Sequence, residues 1–455
     1  MTQEEKKATA MKFDPVRAAA LEAIISIQQG EQTEEAIERA THHKNFRPLD
    51  IRFLKQLVNG TTKMRRRLDH EIRFYLARPS LKMPLRISNI LRLGFYQLLF
   101  TDRVPPAAAV SESVNLARLH AEETQARLVN AVMRTRLREP HRVVFPDRHE
   151  DPVKNLALYH SYPDHFVQYC ISEFGFEQTE QLLVTGNKAP RVTYRINSLK
   201  AKPDEVTNIL QKGNIEFSFG KYLPEFIHIE MGGLPLEAEL IRTGKVYVQD
   251  ESAGLPIRLL NPKPGSDVAD LTAAPGGKST YAAIRMRNRG RVTAVDKSHA
   301  RLKVLEGNAR RLGIKIISPV ACDMAEFTGG PFDRVILDPP CSGWGSVGKL
   351  ADLRWSKTPT DIDNLVKIQS KMIDRAARLV KSGGVLVYST CTIIRRENDQ
   401  IVEEFLLRNS DFEIDSASEF LGSSLVNERG FVKTYPGFDD LDGSFCARLR
   451  RKLNP

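Results

Sequence analysis

No apolar stretch in the 455-residue chain approaches the roughly 18 residues that a membrane-crossing helix needs, which argues against a helical membrane protein. Cysteine is scarce and scattered. The five residues, Cys170, Cys322, Cys341, Cys391 and Cys446, include no C-x-x-C pair, and this excludes a disulfide framework or a zinc site as the expectation. Free thiols in a reducing compartment and no metal follow. The opening "MTQEEKKATAMKFDP" lacks the apolar core of a secretion signal, so the expected location is the cytoplasm. There is no internal repeat and no low-complexity segment. Charged residues at 27% and hydrophobic residues at 41% fit a globular protein, and the length calls for more than one domain.

The charge that is present is unevenly spread. Residues 1–140 hold 24 Lys and Arg against 16 Asp and Glu, whereas the remaining residues hold 43 against 40. A basic module followed by a near-neutral one suggests a polyanion-binding domain joined to something else. In the basic part, "VRAAALEAIISI" (16–27), "LDIRFLKQLVNGTTKMRRRLDHEIRFYL" (49–76) and "RISNILRLGFYQLLF" (86–100) space apolar residues three and four apart, as helices do. Gly30, Pro79, Pro84 and Pro105-Pro106 mark the breaks. The segment 141–155, with its prolines and no periodicity, reads as a linker, and 156–240 as a small α+β domain containing the strand "RVTYRINSLK" (191–200).

From 241 to 455 short β-rich runs alternate with helical ones: "SDVADLT", "GRVTAVD", "KIISPVA", "DRVILD" and "GGVLVYST". That alternation predicts an α/β, doubly wound parallel sheet. Ligands of such sheets sit at the carboxyl ends of the strands. After the first run comes "LTAAPGGKST", whose Gly277-Lys278-Ser279 imitates a P-loop. The early glycine of a true P-loop is missing, because Thr272 stands there. Asp296, Asp323 and Asp338 follow the next three strands. Three carboxylates in one cleft repel a triphosphate unless metal intervenes, but they suit the hydroxyls and sulfonium of S-adenosylmethionine.

Two thiols stand at adjacent strand ends, Cys341 in "DPPCSG" and Cys391 in "YSTCT". Carbon 5 of cytosine is too poor a nucleophile to accept a methyl group directly. A thiolate added to carbon 6 makes carbon 5 enamine-like, and removal of its proton after transfer expels the thiol. A free thiol is only a few per cent ionised at pH 7, and lowering its pKa by about two units corresponds to about 2.7 kcal/mol. One of the two is therefore expected in an electropositive or hydrogen-bonding setting, with Asp338 placed to bond the base and stabilise developing charge. The chemistry alone does not rank the thiols.

"DLTAAPGGK", "VTAVDKSHARLKVLEGNARRLG", "DPPCSGWGSVG" with "DLRW", "YSTCT" and "LDGSFCARLRR" resemble, in order, the motifs of the RNA cytosine-5 methyltransferases of the Nol1/Nop2/Sun group. "ILRLGFYQLLFTDRVPPAAAVSESVNLAR" and "LVNAV" in the first 140 residues resemble a NusB-type RNA-binding bundle. The combination resembles the bacterial Sun/Fmu enzymes, which modify a cytidine of 16S ribosomal RNA. The resemblance implies an all-α bundle, a small α+β domain and a Rossmann-like class I methyltransferase sheet. It implies 16S rRNA or a ribosome assembly intermediate as substrate; a monomer is the expected state. It implies a cofactor loop of Thr272, Ala273, Ala274, Pro275, Gly276, Gly277 and Lys278, a ribose-binding Asp296, an adenine-side Asp323, and Asp338 as both a catalytic and a cofactor-binding residue. Cys391 matches the family's nucleophile and Cys341 its product-release cysteine. Thr272, Trp344 and Ser444 depart from the usual pattern; Trp344 is either a packed aromatic or a stacking platform for a base. Lys63, Arg65, Arg66, Arg67, Arg195 and Asn197 are candidate RNA contacts. A P-loop-like ATPase and a non-catalytic RNA-binding assembly protein are the rival readings.

Overall fold

The computed structural model of the chain describes residues 13–42, 44–78, 82–229 and 235–453. The opening polar residues and the expected break at Pro79 lie outside them. The chain divides into two compact units, residues 1–187 with 350–356, and residues 188–349 with 357–455.

In the first unit helices span Pro15–Gln28, Thr33–Thr41, Pro48–Lys63, Arg65–Tyr75, Leu85–Phe100, Pro106–His120 and Glu123–Arg138, followed by Pro152–Tyr159, Asp164–Phe174 and Phe176–Asn187. Proline opens several of them, where its missing N–H costs nothing, and the Asp14 carboxylate accepts from the first free N–H groups of its helix. Leu21, Leu54, Leu57, Leu68, Ile90, Phe95, Leu116 and Met133 meet in one core. The stretch expected as one helix over 49–76 is two, with the break at Met64. The cause is an inserted side chain, one of the recognised sources of a helix kink. The Ser161 hydroxyl donates to the Lys63 carbonyl at 2.8 Å and accepts from the Arg66 N–H at 3.0 Å.

The segment 350–356 belongs to this unit although its neighbours in sequence belong to the other. Arg354 anchors it. Its guanidinium, 2% exposed as a residue, donates to the Ser161 carbonyl at 3.1 Å, to Asn187 at 2.8 Å and to the Tyr162 hydroxyl at 2.9 Å, and lies 3.6 Å from the centre of the Tyr162 ring. Trp355 adds a 2.8 Å bond from its indole N–H to the Thr62 carbonyl.

The second unit contains two sheets. β1 (Val192–Ile196), β2 (Phe217–Phe219), β3 (Phe226–Ile229) and β4 (Val246–Val248) form a small antiparallel sheet in the order β2-β3-β1-β4. The large sheet comprises β5 (Asp267–Asp270), β6 (Arg291–Asp296), β7 (Ile317–Ala321), β8 (Phe332–Leu337), β9 (Val380–Thr390), β10 (Phe412–Ile414), β11 (Val432–Thr434) and β12 (Ser444–Arg451). Among the described residues its order is β10-β12-β9-β8-β5-β6-β7, with β11 beside β12. β5 to β9 are parallel, as expected; β12 runs antiparallel to β9 and to its other neighbours β10 and β11, which makes the sheet mixed. Helices Gly277–Arg285, His299–Leu312, Pro359–Ala377 and Asp399–Arg408 occur between the strands. Strand order reverses between β5 and β8, so the crevice for a ligand lies beyond their carboxyl ends. Among the described residues no helix is long and apolar enough to cross a membrane.

Candidate active site

The turn after β5 is shaped by glycine. Gly276 has φ +104°, and a Cβ there would stand 2.8 Å from the Leu305 side chain, so a residue with a side chain is both strained and obstructed. Gly277 then begins its helix, whose first N–H groups have no intrahelical acceptor and no side-chain cap. The turn is tied to two other strand ends. The Ala274 N–H donates to Asp296 at 3.1 Å, and Arg301 donates to the Ala274 carbonyl at 2.6 Å. Thr272, the departure from the family pattern, donates its hydroxyl to the Asp338 carbonyl at 2.9 Å and accepts from the Asp338 N–H at 3.2 Å. Its hydroxyl therefore cross-links the ends of β5 and β8. Asp296 is nearly buried at the end of β6, whereas Asp323, after β7, is exposed and caps its own turn through the Ala325 N–H at 2.9 Å.

Lys278 and Asp338 form a pair, Nζ to Oδ2 2.5 Å. Burial works against the ammonium, but Asp338, with Asp270 and Cys391 beyond it, raises the Lys278 pKa overall. Ser279 donates to Asp270 at 2.6 Å. In a P-loop that lysine would face phosphate and that hydroxyl magnesium; here both face carboxylates. Burial pushes Asp270 up to about 6, against the bond from Ser279. A carboxyl whose pKa rises on folding, from about 3.9, binds its proton more tightly in the native state. Its favourable contribution is complete below about pH 4 and is lost as the pH rises through about 6, a change on the order of 3 kcal/mol. Asp270→Asn should remove that slope. The check is the urea midpoint of both proteins at pH 4.5 and pH 7.5: the wild type should lose ground relative to the variant as pH rises.

The two thiols meet. Cys341 Sγ lies 3.2 Å from Cys391 Sγ, close enough for one S–H to donate to the other sulfur. Cys391 is exposed and Cys341 partly buried. The contact with Cys391, together with burial, pushes the Cys341 thiol well above its ordinary pKa, which keeps it protonated. Ser389 ties this end of β9 to Asp338 at 3.3 Å.

A buried carboxylate that sequence reasoning missed organises the surroundings of Cys341. Glu397 accepts from the Ser342 N–H at 2.9 Å, from the Ser342 hydroxyl at 2.5 Å and from Gln369 at 3.2 Å. Gln369 also donates to the Pro340 carbonyl at 2.9 Å, so the residues on both sides of Cys341 are held. The only local signal is an acidic residue six positions after Cys391, which nothing in the pattern distinguishes from a surface residue. Cys170 and Cys446 are buried, as ordinary core thiols are. Trp344 is 2% exposed and packs inside, so the stacking-platform reading is corrected. Ser444 exchanges bonds with Thr434 through its N–H and its hydroxyl, each at 2.9 Å.

Of the expected RNA contacts, Lys63, Arg195 and Asn197 are corrected because they are buried, whereas Arg65, Arg66 and Arg67 are partly exposed and also engaged within the protein. Lys63 is 6% exposed; Arg65 lies over the Trp355 ring; Arg66 bonds the Tyr162 carbonyl and Asp164; Arg67 bonds Glu71 and the Tyr159 carbonyl. Arg195 and Asn197 are fully buried. Arg195 donates to the Gly277 carbonyl at 2.8 Å and to Thr280 at 2.9 Å, and Asn197 donates to the Gly244 and Leu312 carbonyls, each at 2.9 Å. Burial pulls Arg195 down to about 10, yet it stays charged and braces the helix that follows the glycine turn. Among the described residues no cluster of three or more His, Cys, Asp or Glu is arranged to hold a metal.

The strand order, the glycine turn after β5 and the acids at successive strand ends define a Rossmann-like methyltransferase domain, carried with a helical NusB-like unit. Residues 257–450 match the family model described as 16S rRNA methyltransferase RsmB/F, residues 14–138 match the NusB family, and residues 162–234 match the ferredoxin-like domain of RsmF/B-like methyltransferases. Over 450 residues the chain is 33% identical to the probable ribosomal RNA small subunit methyltransferase B of Bacillus subtilis (strain 168), spanning 97% of this chain and 100% of that one. The chain therefore belongs to the RsmB/F family of 16S rRNA methyltransferases. The crystal structure of PH0851 superposes with a TM-score of 0.80 at 25% identity, covering 97% of this chain and all of that one. The structure of NSun6 from Pyrococcus horikoshii with SFG shares the fold, with a TM-score of 0.59 at 23% identity over 65% of this chain and all of that one.

Proposed function

We propose that this protein transfers a methyl group from S-adenosylmethionine to carbon 5 of a cytidine in small-subunit (16S) ribosomal RNA, through a covalent adduct on Cys391. The observation that carries the reading is the pair of thiols 3.2 Å apart beside the Lys278–Asp338 pair. A second thiol at that distance is placed to donate to the first as an adduct is released.

The residues present fit the cofactor. The glycine turn permits close backbone approach, and Asp296 and Asp323 offer carboxylates to ribose and adenine. When bound, S-adenosylmethionine supplies an electrophilic methyl group. Everything else is asked of this chain. Cys391, the exposed thiol, loses its proton to solvent, and its thiolate adds to carbon 6 of the cytosine as the carbon 5–carbon 6 π pair shifts onto the ring, leaving carbon 5 enamine-like. Lys278 offers a donor and Asp338 an acceptor, complementary to the acceptor and amino groups on the base edge. After carbon 5 is methylated, its proton passes to solvent, the carbon 5–carbon 6 double bond re-forms and the carbon 6 to sulfur bond breaks with its pair on sulfur. Cys341, kept protonated and in contact with Cys391, is placed to return a proton to the departing sulfur. The accessible cytosine must be flipped or captured from a single-stranded region.

Two measurements test this. Nucleoside mass spectrometry of 16S rRNA incubated with the enzyme and S-adenosylmethionine should find 5-methylcytidine; methylation at another atom contradicts the reading. In a thermal-shift comparison S-adenosylmethionine should stabilise the protein and magnesium-ATP should not, by RT ln(1 + [L]/Kd), about 2.7 kcal/mol at a hundredfold excess over Kd. Stabilisation by ATP alone would favour the P-loop alternative.

A further inference from the structure

Cys341 sits at the start of a loop that runs to Lys349 before the chain leaves for the first unit at residue 350. Glu397 secures its beginning. The middle is secured by backbone. Gly345 donates to the Cys391 carbonyl at 3.0 Å, and Gly443 donates to the Gly345 carbonyl at 2.9 Å. The two glycines approach so closely that a Cβ on Gly345 would stand 1.9 Å from the Gly443 oxygen, and one on Gly443 2.7 Å from the Gly345 Cα. Only glycine at both positions permits this seam.

The end of the loop is secured by charge. The Lys349 ammonium lies between two carboxylates, bonding Asp250 and reaching Asp442 at 2.9 Å. Asp250 follows β4 of the small sheet and is itself oriented by the Ser252 N–H at 2.9 Å. Asp442 immediately precedes Gly443, so the turn that makes the backbone seam also grips the lysine. All three side chains are mostly buried, at 29%, 17% and 21% exposure for Lys349, Asp250 and Asp442. An ammonium taken from water needs such compensation, and removing it leaves two carboxylates facing each other. Nothing in the methyl-transfer chemistry uses these groups. Their common effect is to close the Cys341–Lys349 loop against the turn before β12 and the end of β9.

We propose that Lys349 is a positioning residue: with Asp250 and Asp442 it latches the Cys341–Lys349 loop and so holds the Cys341 thiol in contact with Cys391. The consequence for turnover rests on the release role given to Cys341 above; the geometric claim does not.

The test separates the two. Dibromobimane, which becomes fluorescent when it bridges two neighbouring thiols, reports the Cys341–Cys391 contact directly in the full-length protein. Bridging should be at least ten times slower in Lys349→Met and close to the wild-type rate in Lys349→Arg, which preserves the charge. The triple variant Lys349→Met, Asp250→Asn, Asp442→Asn removes the stranded carboxylates; it should keep a wild-type melting temperature and still bridge slowly. Unchanged bridging in both Lys349→Met and the triple variant overturns the latch. With RNA and S-adenosylmethionine added, Lys349→Met should retain a denaturant-stable protein–RNA adduct, as Cys341→Ser does. If Cys341→Ser forms no adduct, the thiol assignment has failed, while the bridging rate still decides the latch.

Discussion

Cys391→Ser should abolish methyl transfer, lowering kcat by at least ~10⁴-fold, the scale on which removal of a covalent nucleophile acts. A serine hydroxyl needs a base to attack, and the neighbour here is the Cys341 thiol, whose burial still raises its pKa once the contact with the Cys391 thiol is gone. The substitution is otherwise mild. Cys391 is exposed, and its carbonyl, which holds Gly345, is unchanged. Melting temperature and affinity for S-adenosylmethionine should therefore stay at wild-type values while single-turnover transfer, measured with labelled methyl, falls to background. Loss of cofactor binding in parallel would mean that the residue supports the fold of the site, and the nucleophile would have to be sought elsewhere.

Asp338→Asn should lower kcat by about 10²–10³-fold with a smaller change in KM, the loss typical of removing one preorganised electrostatic group. The amide has the same shape, and the backbone link from Asp338 to Thr272 survives. What disappears is the negative charge beside Lys278. The ammonium, already working against burial, then has Asp270 as its remaining carboxylate neighbour, and the orientation of both groups toward the base is lost. A Lys278→Met variant should lose a comparable factor, and the double variant should lose little more than either single one, because the two act as a pair. Additive losses in kcat would show that they act separately. Pre-steady-state rates in RNA excess, with cofactor affinity measured alongside, distinguish these outcomes.

Much of the second unit is legible in the sequence because its information is local. Apolar runs of strand length alternate with helical ones, and the glycine turn announces itself after β5. The acids fall at the ends of β6 and β8 because strand ends are where the pattern stops. β12 is harder to read, since "SFCARLRR" carries Arg448 into the interior, where Asp415 at 2.8 Å and the Phe420 ring receive it. A charge in a strand argues for the surface until its partner, distant in sequence, is known. The same reason explains the basic run Lys63 to Arg67. It looks like a phosphate-binding face, but Ser161, Tyr162, Asp164 and Trp355 come from elsewhere in the chain to occupy it. Arg195 and Asn197 fail in the same way: Arg195 bonds the Gly277 carbonyl and Thr280, and Asn197 the Gly244 and Leu312 carbonyls, none of which a local pattern reveals.

The site shows the division again. Cys341 and Cys391 are separated by 50 residues, and their placement at adjacent strand ends follows from the α/β alternation. Their ranking does not. That comes from the resemblance of the two motifs; in the folded protein Cys391 is exposed and Cys341 partly buried. Glu397 and Lys349 carry no sequence signal of their own because their partners, Ser342 and the pair Asp250 and Asp442, are brought to them by strand order.

The central claim is the covalent bond between Cys391 and the target cytosine, and the most direct measurement locates it. Cys341→Ser protein incubated with 16S rRNA and S-adenosylmethionine should accumulate an adduct that survives denaturant. Digestion and mass spectrometry should then find the nucleotide on the peptide containing Cys391, whereas Cys391→Ser protein treated identically should carry none. An adduct on Cys341 in the Cys391→Ser protein, or no adduct in either variant while the wild type methylates RNA, would contradict the account.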